Sequence, residues 1–358
     1  MKNNKAIKKF GKKFKRQKNR FIRKRILTSK KNNKKIYHLK FKNTKYIKKI
    51  MIILFLLFVY IIIYYFFDND KIKNYGLSFA QKMDDYNTKN FAIFIRNDCP
   101  MCGFFSHFIV LLGCANKYLK EGYIPIIDLV SFRNKYNNGN KLIHNPWELF
   151  FYQMNNYTLE EVKNYAKNYT YKYCDKNNYR PNEKYVYYQN DSIIFWHNFI
   201  KKYSPFKKEL MIEAKIIMKK LFGRSKNILG VKIRGTDYYR RPINHAIPAK
   251  VEKIIPDVKE FDKKYKYDYI YLATEDNTVK KKFMPEFVNK VKFLEPENKK
   301  FNNRIEQNLD DLKNYIFTII ILSKCLDLIA CRCSGTAAVY VLTEGFRHAK
   351  VYNLGSYK

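Results

Sequence analysis

From residue 228 onward the chain alternates in a way that few folds accommodate. Short apolar runs at residues 228–233, 269–273, 291–294, 328–331 and 351–354 are separated by longer amphipathic stretches near 249–264, 279–288, 312–325 and 336–345. The short runs predict strands and the long ones helices, and alternation of the two predicts a parallel sheet wrapped by helices. An earlier stretch opens the same way, with a strand over 91–96, a helix over 103–122 that ends at glycine, and a strand over 123–129. Between these regions, residues 134–190 are rich in Tyr and Asn and carry a helix over 159–169. Residues 204–223 read as an amphipathic helix capped at Ser204. The chain thus divides into an α/β half at 91–223 and a second at 224–358.

The residues before this region differ in kind. Residues 1–49 hold no Asp or Glu and supply more than half of the net charge of +40. Such a tail reads first as a solvated arm, with phosphate neutralisation on a nucleic acid or an anionic membrane surface as the alternatives. Residues 50–67 are 18 positions without one charge, and as a helix they cover roughly 27 Å, near the thickness of a hydrocarbon core. Lys48 and Lys49 precede the span, and Asp68 and Asp70 follow it. The positive-inside rule then predicts a single transmembrane signal anchor with a cytosolic N-terminus, a stem over 68–90 and everything later on the far side. Membrane lipid is one expected partner, and no specific nucleic acid is expected. A hydrophobic content of 46%, with 17% aromatic residues, excludes a wholly disordered chain.

In sheets of this type ligands bind beyond the carboxyl ends of the strands. Three segments fall there: Arg234 to Asp237, Thr274 to Asp276, and Arg332 to Ala338. Their chemistry converges on an anion. "SGT" opens a helix, so Ser334, Gly335 and Thr336 bring hydroxyls, close backbone approach and free N–H groups to the sheet edge, with the helix dipole behind them. Arg234 is suited to bidentate hydrogen bonding of a phosphate. Each residue also has a plainer reading: N-capping for Ser334 and Thr336, and for Arg234 an ion pair with Asp237 or Asp276.

Taken together, "GVKIRGTDYY", "YIYLATEDN", "LSKCLDLIACRCSGTAAVYVLTEG" and the earlier "NPWELFF" resemble the GDP-fucose-dependent fucosyltransferases. That group includes core α1,6- and nodulation-type enzymes and, more distantly, protein O-fucosyltransferases. The resemblance covers most of residues 91–358 and implies a GT-B architecture of two Rossmann-like domains, with 91–223 on the acceptor side and 224–358 binding the donor. It also implies an inverting, metal-independent transfer of fucose from GDP-fucose, the nucleotide-sugar donor, to a glycan or protein hydroxyl, with no cofactor. By this resemblance Arg234 contacts the donor diphosphate, Thr236 and Asp237 shape the donor site, Thr274 and Asp276 organise the pocket, and Ser334, Gly335 and Thr336 contact the phosphates. Lys232 stands where the family has histidine, Gly235 where it has a second arginine, Thr318 near its guanine-binding acid, and Pro242 near its catalytic glutamate. Asp237 and His245 are then the candidate bases, His245 because a neutral imidazole accepts a proton near neutral pH.

Other signals point elsewhere. "CPMC", Cys99 to Cys102, has thioredoxin-like spacing between a strand and a helix, so a membrane-anchored thiol-disulfide protein is one rival reading and a structural disulfide is the preferred one. A non-catalytic glycan-binding relative is the other rival. Cys325, Cys331 and Cys333 lack a matching histidine pair for zinc. "DND" at Asp68 to Asp70 reads as charge flanking the membrane span. Sequons occur at Asn156, Asn168 and Asn190 and fit a lumenal glycoprotein, which with the anchor predicts a Golgi membrane.

Overall fold

The computed structural model describes residues 55, 81–96, 99, 102–132, 134, 136, 144–175, 190–235, 245–294 and 309–358. The chain falls into two units, Met1–Gln81 and Lys82–Lys358. In the first, the expected span at 50–67 lies outside the described residues except for Phe55, which is helical and exposed. No helix among the described residues is long and apolar enough to cross a membrane.

The second unit begins with a parallel βαβ unit. β1 (Asn90–Ile95) leads to α1 (Phe104–Lys120), and β2 (Ile124–Ile127) returns beside β1 with Phe91 opposite Ile124 and Phe94 opposite Ile127. Phe91, Ala92, Ile93 and Phe94 are all fully buried, as in a strand covered on both faces. α2 (Pro146–Phe150) starts where the Asn145 side chain accepts from the Trp147 N–H, with proline in the first turn. α3 (Leu159–Tyr165) starts with a capping box between Thr158 and Glu161. The helix expected over 159–169 stops at Tyr165, because β3 (Asn168–Tyr173) follows and pairs in parallel with β1. The Tyr–Thr–Tyr alternation of β3 favours extended chain. This sheet has the order β2-β1-β3.

α4 (Asn190–Tyr203) and α5 (Lys208–Phe222) lead to the second sheet. Ser204 does not cap α5. Its hydroxyl is buried, donates to the Tyr152 carbonyl at 2.7 Å and accepts from Trp147 Nε1 at 3.2 Å, so it joins the turn to α2. Lys207 precedes α5 without a side-chain cap.

The second sheet is built from β4 (Ile228–Lys232), α6 (Val251–Tyr265), β5 (Tyr269–Ala273), α7 (Asn277–Phe283), β6 (Val291–Lys292), α8 (Leu309–Ser323), β7 (Asp327–Cys331), α9 (Ser334–Leu342) and β8 (Ala349–Tyr352). Its order is β6-β5-β4-β7-β8, and all pairs are parallel. The chain lays β5 and β6 on one side of β4, then crosses to place β7 and β8 on the other. That reversal creates a topological switch point between the carboxyl ends of β4 and β7, where strand-to-helix connections diverge and leave a crevice. Lys232, the last residue of β4, lies opposite Ala273 on one side and Ala330 on the other.

One hydrophobic cluster serves both sheets. It contains Phe94, Phe108 and Trp147 from the first part of the unit and Tyr271, Leu328 and Val339 from the second. The far face of the second sheet is covered separately, through Leu229, Val231, Ile254 and Ile270. Phe105 of α1 meets Tyr315 of α8 edge to face at 5.2 Å. Two disulfides bind the first part: Cys99 is joined to Cys102 as expected, and Cys114 of α1 is joined to Cys174 just after β3.

Candidate functional site

The switch point gathers the charged residues. β4 is buried along its whole length, including Lys232, which is only 2% exposed. A strand this enclosed holds an ammonium only against compensating groups, because an isolated buried charge is costly. The Lys232 Nζ lies 5.5 Å from the centre of the Tyr315 ring, a cation–π contact. Burial works against its charge, but Tyr315, the Cys333 sulfur and Glu275 outweigh burial and the repulsion of Arg234, holding the ammonium above the ordinary lysine range.

Arg234 follows two residues later and pairs with Glu275, its Nη1 lying 3.3 Å from Oε1. The same carboxylate oxygen accepts the Gly235 N–H at 3.2 Å. Burial would raise the Glu275 carboxyl, but Arg234, Lys232 and backbone N–H groups hold it below the usual range. A Cβ at Gly235 would come within 2.5 Å of the Asp276 Cβ. The two strand ends therefore pass too closely for a second arginine at this position.

The third wall is the start of α9. Its N-cap is Cys333, whose sulfur accepts from the Thr336 N–H at 3.4 Å. The expectation that Ser334 or Thr336 caps this helix is corrected here. Nor does Thr336 turn its hydroxyl outward, since that group is fully buried and donates to the Cys331 carbonyl at 2.6 Å. Ser334 opens the helix and is half-buried. Gly335 is where other elements approach, as a Cβ there would lie 2.2 Å from Tyr315 Oη and 3.1 Å from Lys232 Cε. Burial would push the Cys333 thiol up, but Lys232, Arg234 and the Thr336 N–H bring it below the ordinary thiol range.

The remaining candidates have other partners, although Asp276 lies against Gly235. Asp276 caps α7 by accepting the Thr278 N–H at 2.8 Å, and its own N–H donates to Thr274 Oγ1 at 3.2 Å. His245 is exposed, and its carbonyl accepts the Tyr357 N–H at 2.9 Å. Thr236 and Asp237 lie outside the described residues. Glu275 and Cys333 were missed as site residues. Each sits next to a residue that was singled out, and the signal was position at a strand end beside a fixed cation. Among the described residues no group of three His, Cys, Asp or Glu is placed to hold a metal ion.

The arrangement has two fixed cations, the N–H end of a helix, and glycines at Gly235 and Gly335 that let neighbouring side chains pack closely against the backbone. Its capacity is to bind an anion and to stabilise negative charge growing on it.

No protein-family model matches the chain, and no curated protein matches it. Solved structures of fucosyltransferases are similar to it. NodZ alpha-1,6-fucosyltransferase soaked with GDP-fucose is 13% identical, covers 71% of this chain and 93% of its own, and has a TM-score of 0.41. NodZ from Bradyrhizobium is 13% identical, with coverages of 72% and 94% and a TM-score of 0.43. POFUT1 in complex with GDP is 10% identical, with coverages of 74% and 99% and a TM-score of 0.46.

Proposed function

We propose that this chain is a membrane-anchored glycosyltransferase of GT-B type: an inverting, metal-independent fucosyltransferase that moves fucose from GDP-fucose to a glycan or protein hydroxyl. The observation that carries the anion-binding part is the meeting of Lys232, Arg234 and the N-terminus of α9 at the switch point of a parallel sheet. The motifs quoted above supply the sugar nucleotide. In this reading the acceptor hydroxyl attacks the anomeric carbon from the face opposite the diphosphate. The C–O bond to the β-phosphate breaks, and Arg234 and Lys232 take up the charge left on the departing phosphate oxygen. The proton leaves the acceptor oxygen to a base, for which Asp237 and His245 are the candidates. The apolar run at 50–67 anchors the enzyme with its N-terminus in the cytosol and its catalytic unit in the Golgi lumen, where membrane lipid, a nucleotide sugar and glycoprotein acceptors meet.

The test uses the full-length chain in detergent. GDP is expected to raise its melting temperature where UDP does not, and GDP-fucose is expected to release free GDP in the presence of glycan or glycopeptide acceptors. Arg234→Ala is expected to abolish that release while circular dichroism is unchanged. Stabilisation by neither nucleotide, or a folded Arg234→Ala chain with full activity, overturns the reading.

A further inference from the structure

Three cysteines stand outside the disulfides, and their surroundings differ sharply. Cys325 and Cys331 are buried. Burial pushes both thiols up, with Asp327 adding to the effect at Cys325. Cys333 is also enclosed, at 7% exposure, but it occupies the N-cap of a nine-residue helix. The Thr336 N–H points at its sulfur, and the Thr336 hydroxyl lies 3.4 Å from it. The partial positive charge of a helix N-terminus favours an anion at this position.

A second observation is independent of the helix. Lys232 arrives from β4, is 98% enclosed by the 2% exposure already given, and has no hydrogen bond or ion pair with any described residue. Its stem runs across the first turn of α9, with Cε at 3.1 Å from where a Gly335 Cβ would stand. Its charge thus faces the site that Cys333 caps. Among the described residues, the charged and titratable groups acting on that sulfur are Lys232 on β4, Arg234 just beyond it and Cys331 on β7, while Thr336 of α9 hydrogen-bonds it. Glu275 and Tyr315 act through Lys232.

We propose that Cys333 is a modification site for small soft electrophiles: its sulfur, set at the N-terminus of α9 beside the enclosed Lys232 ammonium, reacts ahead of Cys325 and Cys331 and competes with anions for the same cations. With iodoacetamide as the probe, the thiolate sulfur attacks the methylene carbon, the S–C bond forms as the C–I bond breaks, and iodide leaves. The thiolate is the attacking form, so the thiol proton leaves to solvent before the S–C bond forms. The inference shares its cations with the anion site proposed above, but not its sugar nucleotide.

The full-length chain is labelled with limiting iodoacetamide at pH 7, and the three cysteine peptides are quantified by mass spectrometry. Cys333 is expected to label at least about tenfold faster than Cys325 or Cys331, one unit of thiol acidity being worth a factor of ten. Its pH–rate profile is expected to have a midpoint below the ordinary thiol value of about 8.5, and Lys232→Met is expected to raise that midpoint. Inorganic pyrophosphate at matched ionic strength is expected to slow Cys333 labelling and leave the other two unchanged. Equal rates at the three cysteines in the unaltered chain overturn the proposal, whether or not the Lys232 variant folds. Fast labelling that pyrophosphate does not slow overturns the competition. A chain that labels at Cys333 but is stabilised by neither GDP nor UDP sinks the donor reading alone, whereas a chain stabilised by GDP with Cys333 no faster than Cys325 sinks this inference alone.

Discussion

Arg234 is paired with Glu275 across the carboxyl ends of β4 and β5, its Nη1 3.3 Å from the carboxylate Oε1. The pairing sets the free charge of the site, because Glu275 also takes the Gly235 N–H. Glu275→Gln keeps an acceptor for that N–H and removes the negative charge. Binding of pyrophosphate or GDP is expected to tighten by about threefold to tenfold, read by titration calorimetry, at a loss of ~1 kcal/mol of stability. Weaker binding in this variant would mean that the carboxylate itself touches the ligand.

Acid should find two weak points. Glu275 and Asp327 are both held below the ordinary carboxylate range: Glu275, against burial, by Arg234 and Lys232, and Asp327, against burial, by Arg347, Tyr267 and the His348 N–H. A depressed carboxyl contributes stability that is complete above its unfolded value, about pH 4, and is lost as pH falls through the lower folded value. Melting temperature is thus expected to hold from pH 7 to about 5 and to fall steeply below about 4. Asp327 is fully buried and receives Arg347 Nη2 at 2.5 Å and Nε at 3.2 Å. Asp327→Ala is expected to cost about 3–5 kcal/mol in urea denaturation.

Gly335→Ala tests the close approach at α9. The added methyl would stand 2.2 Å from Tyr315 Oη, and the expected loss is about 1–3 kcal/mol. Tyr315→Phe removes the clashing atom, so the double variant is expected to recover most of that loss in a thermodynamic cycle. Recovery of none would place the strain on the Lys232 stem instead.

Reduction tests the Cys114–Cys174 bond, which spans 60 positions of sequence. In the chain-entropy account a loop of this size is worth about 4 kcal/mol. Replacing both residues with alanine is expected to lower stability by about 2–4 kcal/mol, with no change in the alkylation pattern of Cys333.

Much of the second sheet was legible because its central strands β4, β5 and β7 are short, largely apolar and separated by longer helical stretches. The run at 269–273 has the bounds of β5, and the others differ at their ends by a few residues. Legibility failed where a local pattern served two masters. β3 alternates Tyr with Thr and Lys after a capped helix, and the helical period was carried too far. Ser204 has the chemistry of a cap, but tertiary contacts with Trp147 and Tyr152 claim its hydroxyl. At the site, Arg234 and Gly335 were visible as residue types suited to their positions. Glu275 was not, because the residue that pairs across two strand ends depends on which side chain points along β5, and period alone does not say so. Cys333 was passed over for the same reason: the Ser and Thr after it are better caps by preference, and only the backbone places the thiol at the helix entrance.

The hydrophobic cluster shared by both sheets bears on how this chain can be handled at the bench. Phe94, Phe108 and Trp147 lie on one side of a cut between residues 223 and 224, and Tyr271, Leu328 and Val339 on the other. A fragment expressed from either side would present the missing half of that core as bare apolar surface, the kind that drives aggregation. Split versions of the chain would need to be made in the same cell, each half acting as the other's chaperone.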